Sequence, residues 1–95
     1  MLTIEEVNEN ELKFIGEFDA SQEGLASEKL EKHDETLTID MESLNYISSM
    51  GLGVLVKTYH RLNENGQSLR LKNLNKHLKD VFKYTRLDQI FEFVD

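Results

Sequence analysis

The sequence predicts an α/β fold, with a central mixed sheet of four to five strands packed with about four helices. Three observations carry that expectation. Two period-two runs flank the polar stretch Asn8-Glu9-Asn10 near the start. Short alternating runs then take turns with stretches of helical periodicity along the rest of the chain. The chain has 95 residues, 39% of them apolar and spread along its whole length, which suffices for one core and not two. Strands alternating with helices imply at least one parallel crossover. So small a chain is expected to carry its helices mostly on one side of the sheet.

Leu2 and Ile4 alternate with polar residues and read as a short strand. Asn8-Glu9-Asn10 reads as a turn, because Asn tolerates left-handed backbone. Leu12, Phe14, Gly16 and Phe18 fall on one face of a second strand, so the opening unit is a hairpin. Gly16 inside that strand points to a bulge or a close backbone approach. Asp19-Ala20-Ser21 leaves the sheet, and Ser21 is expected to cap a helix with Glu23 in its first turn. That helix should run to about Lys32, with Leu25, Ala26 and Leu30 as its apolar stripe. Thr36 to Met41 alternates and is rich in β-branched residues, as a central strand is.

Ser48 or Ser49 opens the strongest helix, where Leu52, Leu55, Val56, Tyr59 and Leu62 share one face and Gly66 supplies a left-handed cap. Leu69 and Leu71 mark the next strand. Leu78, Val81, Phe82 and Thr85 repeat at helical spacing after an Asn75 cap. A short turn begun at Asp88 leads into an edge strand around Phe91 and Phe93.

Composition removes whole classes of function. There is no cysteine, so disulfide scaffolds, thiol catalysis and zinc-thiolate sites are excluded. The net charge of −7 argues against nucleic acid, whose binding needs a basic footprint. The charge is uneven: residues 1–50 carry 13 acids and 3 bases, residues 51–95 carry 5 acids and 8 bases. Two solvated faces account for this, and a dipolar surface that orients a partner is the sharper reading. No apolar run approaches the ~20 residues of a membrane span, and the N-terminus lacks the basic flank of a signal peptide. The expectation is a cytoplasmic protein with no membrane contact.

No constellation points to catalysis. His33, His60 and His77 are far apart and lack metal-ligand spacing. There is no Gly-rich phosphate loop followed by Lys, no elbow around a nucleophilic serine, and Gly51-Leu52-Gly53 alone is a weak nucleotide signal. No cofactor is expected. One segment stands out: Tyr46-Ile47-Ser48-Ser49-Met50-Gly51-Leu52-Gly53. Two glycines in the first turns of a helix each cost about 1 kcal/mol relative to Ala. Close packing on the sheet explains that, and so does a surface kept low for a partner approaching a serine. A phosphate there would meet free N–H groups and the positive end of the helix dipole.

The ordered set of segments resembles a STAS domain of the anti-anti-sigma factor (anti-sigma factor antagonist) family, over nearly the whole chain. Gly16-Glu17-Phe18-Asp19-Ala20 resembles the family's Gly-Glu-Leu-Asp-Ala at the exit of the second strand. Leu37-Thr38-Ile39-Asp40 resembles its third strand. Leu44 to Leu52 resembles its signature loop, and Leu69-Arg70-Leu71 with Leu87 to Phe91 its last strand-and-helix region.

The resemblance implies a single domain over residues 1–95 that binds an anti-sigma factor of the serine-kinase type and so releases a sigma factor. It implies phosphorylation at Ser49, two residues before Gly51, with Ser48 as second choice, and reversal by a serine phosphatase. Ser48 stands where many members have aspartate, and Met50 where a small residue is usual. The implied docking patch is Asp19, Ser21, Ser48, Met50, Gly51 and Leu52, with Met50 and Leu52 at its apolar centre. ATP would belong to the kinase partner. A STAS subunit of another signalling or transport complex, without sigma-factor control, is the alternative.

Overall fold

The alternating runs become strands because each has one face that must leave water. In the computed structural model, which describes residues 1–94, β1 (Leu2–Asn8) and β2 (Glu11–Phe18) form the expected antiparallel hairpin. Asn8 closes its turn by accepting from the Asn10 N–H at 2.8 Å. Gly16 has φ +96°, and the Glu17 N–H donates to the Met1 carbonyl at 3.0 Å. A Cβ at Gly16 would lie 2.3 Å from that carbonyl oxygen, so of the two sequence readings of this glycine the close backbone approach holds, and the bulge lies opposite it on the neighbouring strand.

Helix α1 (Glu23–Leu30), strand β3 (Leu37–Ile47), helix α2 (Ser49–Glu64), strand β4 (Leu69–Lys72), helix α3 (Lys76–Tyr84) and strand β5 (Glu92–Val94) follow in order. The sheet order is β1-β2-β3-β4-β5, antiparallel only between β1 and β2. The described residues therefore contain three α-helices rather than about four, with 3₁₀ turns at Ala20–Gln22 and Leu87–Gln89. Asn75 caps α3 as expected, accepting from the Leu78 N–H at 2.8 Å. Gly66, at φ +74°, ends α2 in a Schellman arrangement, with Gln67 N–H on Leu62 O and Gly66 N–H on Asn63 O.

Several boundaries differ from the sequence reading. Strand β3 extends to Ile47, six residues beyond Met41. It carries an extra residue opposite Lys13–Ile15 and another opposite Gly16–Glu17. These bulges re-aim the pleat, so that Leu44 and Ile47 face the core although they break the alternation of Leu37, Ile39 and Met41. Helix α1 stops at Leu30 rather than Lys32, and Leu25 points outward. The end of α1 is held by α2 instead: Arg61 donates to the Leu30 carbonyl at 2.8 Å and pairs with Asp34.

One face of the sheet is dry. Leu12, Phe14, Phe18, Leu37, Ile39, Leu69 and Leu71 are fully buried there with Leu55 and Leu62 of α2 and Leu78 and Phe82 of α3. Val56, Tyr59 and Val81 are half-buried at the margin. The opposite face carries charge. Its cross-strand row reads Glu5, Lys13, Asp40, Lys72, so neighbours alternate in sign. Glu11 hydrogen-bonds Lys72 at 2.9 Å and holds its ammonium above the ordinary lysine range.

Ile39→Ala and Leu55→Ala each delete a side chain with no solvent exposure, and each is expected to lower stability by about 2 to 5 kcal/mol. Urea denaturation of the two variants measures this. A loss below 1 kcal/mol in either would contradict the packing described.

Candidate partner-docking and phosphoryl-acceptor site

Strands β2 and β3 run parallel and end together, with Phe18 opposite Ile47. The Ser48 N–H then donates to the Phe18 carbonyl at 2.8 Å. That bond sets the Asp19–Gln22 turn beside the start of α2, so the two segments singled out by sequence share one end of the sheet.

The turn is closed by its own side chains. Asp19, not Ser21, is the cap: its carboxylate accepts from the Ser21 N–H at 2.9 Å and from the Ser21 hydroxyl at 2.6 Å. Gln22 completes a capping box by accepting from the Asp19 N–H at 3.2 Å, and its amide donates to the Ser21 hydroxyl at 2.9 Å. Asp19 wins because its carboxylate sits at the strand exit, three residues before a glutamine, where Ser21 is already inside the turn. The Ser21 hydroxyl first, and its N–H second, pull the Asp19 carboxyl below its ordinary value. Asp19 thus stays ionised through neutral pH. Its support of the turn is present above the ordinary carboxylate range and fades as pH falls through the lowered pKa.

Ser48 is the N-cap of α2, accepting from the Gly51 N–H at 3.1 Å. Its carbonyl takes the first helical bond, from Leu52 N–H at 2.9 Å. Ser49 is the first helical residue and is exposed. Met50 is exposed beside it. Gly51 and Leu52 turn the other way and are buried. Leu52 is therefore not the apolar centre of this surface, since its side chain supports the helix from beneath. Tyr46 and Leu25, on the adjoining strand end and the first turn of α1, are exposed instead. The sequence reading put Leu25 on the apolar stripe of α1 and gave Tyr46 no place in the patch, because exposure of a single apolar side chain carries no periodic signal.

The two glycines separate cleanly. A Cβ at Gly51 would lie 2.9 Å from Ile47 Cγ1 and 3.1 Å from Phe18 Cγ, so only glycine lets the helix sit this close to the sheet. A Cβ at Gly53 would meet nothing within 4 Å. Close packing thus accounts for Gly51 and not for Gly53, whose helix penalty the fold leaves unoffset.

Among the described residues no group of three His, Asp or Glu is placed to hold a metal, and no helix is long and apolar enough to cross a membrane. His60 and His77 are exposed and His33 is half-buried.

Gly53→Ala is expected to raise stability by up to about 1 kcal/mol, as Gly-to-Ala does in an open helix. Gly51→Ala is expected to lower it. Thermal or urea unfolding of the pair decides this, and a stabilised Gly51 variant would refute the close contact.

Comparison with known proteins agrees with this geometry. Residues 4–95 match the model of the STAS domain. The anti-sigma-B factor antagonist of Bacillus subtilis (strain 168) is 33% identical over 90 residues, covering 90% of this chain and 83% of that protein. A proposed anti-sigma factor antagonist from Thermotoga maritima has the same fold, with a TM-score of 0.81 at 20% identity, over 100% of this chain and 86% of that one. So does the Bacillus cell fate determinant SpoIIAA in its phosphorylated form, with a TM-score of 0.72 at 18% identity, over 100% and 92% of the two chains. By its matched family model and its 33% identical relative, the chain belongs to the STAS domain family.

Proposed function

We propose that this chain is an anti-sigma factor antagonist acting in the cytoplasm. It binds an anti-sigma factor of the serine-kinase type and so frees a sigma factor. Phosphorylation of Ser49 by that kinase ends the binding, and a serine phosphatase restores it. The chain itself catalyses nothing, and the nucleotide belongs to the partner. One observation carries the reading: of the two adjacent serines, Ser48 is engaged as the helix cap while Ser49 is exposed on the first turn. The identity to the Bacillus subtilis antagonist supports it, as does the phosphorylated form in which SpoIIAA has been solved.

The physical logic is a difference between two environments. In the free protein a phosphate on Ser49 sits at the positive end of α2, near N–H groups that have no helical partner. It adds about −1.5 to −2 charge at pH 7. In a docked complex that dianion would have to lose water without a matching cation. Asp19 and the neighbouring Glu17 and Glu23 make the same end of the protein acidic. The partner surface that fits them is basic, with its cations already matched to these acids, so the added phosphate meets none left free.

Incubation with the cognate kinase and ATP, followed by mass spectrometric mapping, tests the acceptor. Phosphate is expected on Ser49. Ser49→Ala keeps partner binding and resists the kinase. Ser49→Asp binds more weakly, because one carboxylate only partly imitates phosphate. Ser48→Ala is still phosphorylated but loses about 1 kcal/mol of stability with its cap. Modification of Ser48 alone would overturn the assignment.

Asp19→Asn keeps an acceptor for the turn and removes the charge. Its association with the kinase partner is expected to be slower and less dependent on salt. An unchanged on-rate across a salt series would take Asp19 out of the interface.

A further inference from the structure

A second surface lies away from the Ser49 end and shares no residue with it. Between α3 and β5 runs a groove of about 210 Å³, lined by Leu74, Lys79, Phe82, Lys83, Asp88 and Phe93. Its floor is apolar. Phe82 is buried and stacks edge-to-face on Phe93 at 5.9 Å, and Phe93 remains 40% exposed. The volume is below the ~300 Å³ at which small-molecule pockets usually begin, and it suits an apolar side chain or two.

The rim is basic. Lys79 and Lys83 stand one helical turn apart, exposed, and neither makes an ion pair among the described residues. Lys76, by contrast, is paired with Asp80 at 3.0 Å. Lys83 also lines an adjoining open concavity with Asp80, Tyr84 and Arg86, where Tyr84 is 93% exposed. Against Lys79, Lys83 and Arg86 stand Asp88 and the already paired Asp80, so this face is net positive in a chain of net charge −7. Exposed Tyr84 and Phe93 with Arg86 are residue types enriched at interfaces, and the two lysines suit a polar rim around them. Strand β5 ends the sheet, with β4 as its neighbour, so its outer edge is open to an extended segment.

We infer that the α3–β5 groove is a docking site for an extended acidic segment of a partner protein, anchored by an aromatic or aliphatic side chain against the exposed part of Phe93. Charge complementarity selects this occupant: acids meet Lys79 and Lys83 on the rim while the anchor fills the apolar floor. The site is independent of phosphorylation at Ser49.

Panning a displayed library of random peptides on the full chain tests it, with a Lys79→Glu/Lys83→Glu variant as counter-target after circular dichroism has shown that the variant is folded. Enriched peptides are expected to be acidic around one aromatic or aliphatic residue. They should shift the amide signals of Leu74, Lys79, Phe82, Lys83 and Phe93 and not those of Ser48 to Met50. Their affinity should fall about tenfold or more in the charge-reversed variant, since like charges across an interface repel. The milder Lys79→Gln/Lys83→Gln variant should fall between the two. Absence of enrichment, peptides without acidic character, or equal binding to the charge-reversed variant would overturn the inference. Concentration-dependent shifts of the same signals without peptide would assign the groove to a second copy of the chain and overturn it equally.

Discussion

The close approach of α2 to the sheet at Gly51 is the constraint on which the rest of this end of the molecule depends. With no Cβ at Gly51, the helix start rests on Ile47 and the ring of Phe18. The Ser48 N–H reaches the Phe18 carbonyl, and Ser48 becomes the cap. Once Ser48 is fixed there, the next residue must emerge on the outside of the first turn, which is where Ser49 stands. The same strand ends fix the Asp19–Gln22 turn alongside. A methyl group at residue 51 would lift the helix and disturb both segments together. Exposure of Ser49 is thus a product of packing two residues away, not a property of the serine.

The two faces of the sheet explain why the helices lie where they do. All three α-helices cover the apolar face, and the other face keeps its charges in water by alternating them across strands. Salt screens such exposed pairs and each contributes little to stability. Their value lies in register. A slip of β3 by one residue would bring Ile39 to the wet face and Asp40 into the core. Stability resides in the buried leucines and phenylalanines, and the charged face decides which arrangement of them is allowed.

Much of this was legible in the sequence, and the reasons are physical. Period-two alternation showed β1, β2, the first half of β3 and β4, because each is wet on one side. Helical spacing showed α2 and α3, and Gly66 and Asn75 announced their termini. The second half of β3 was hidden because two bulges break the alternation between Met41 and Ile47. The cap before α1 was assigned to Ser21 although Asp19-x-x-Gln22 is itself a capping-box pattern. Leu25 was placed on the wrong side because a short helix with few apolar residues does not show which side faces inward. Leu52 was offered both to the stripe of α2 and to the docking patch, and its packing on the sheet decides for the stripe. Arg86, at φ +64° after α3, carries no glycine signal at all. At the candidate site the serines and the turn could be read directly. Which serine is occupied and which glycine is packed could not, because both depend on distances between segments far apart in the chain.

In the proposed mechanism one phosphate on Ser49 alters docking and leaves the fold in place. The most direct test is to prepare the chain fully phosphorylated at Ser49, record its amide NMR spectrum, and titrate it with the anti-sigma partner by calorimetry. The expected spectrum is native-like, with changes confined to Phe18 to Ser21 and Ile47 to Gly53. Partner affinity is expected to fall by about a hundredfold or more, which corresponds to about 2.7 kcal/mol. Undiminished affinity in the phosphorylated protein, or a spectrum altered throughout the core, would contradict this mechanism.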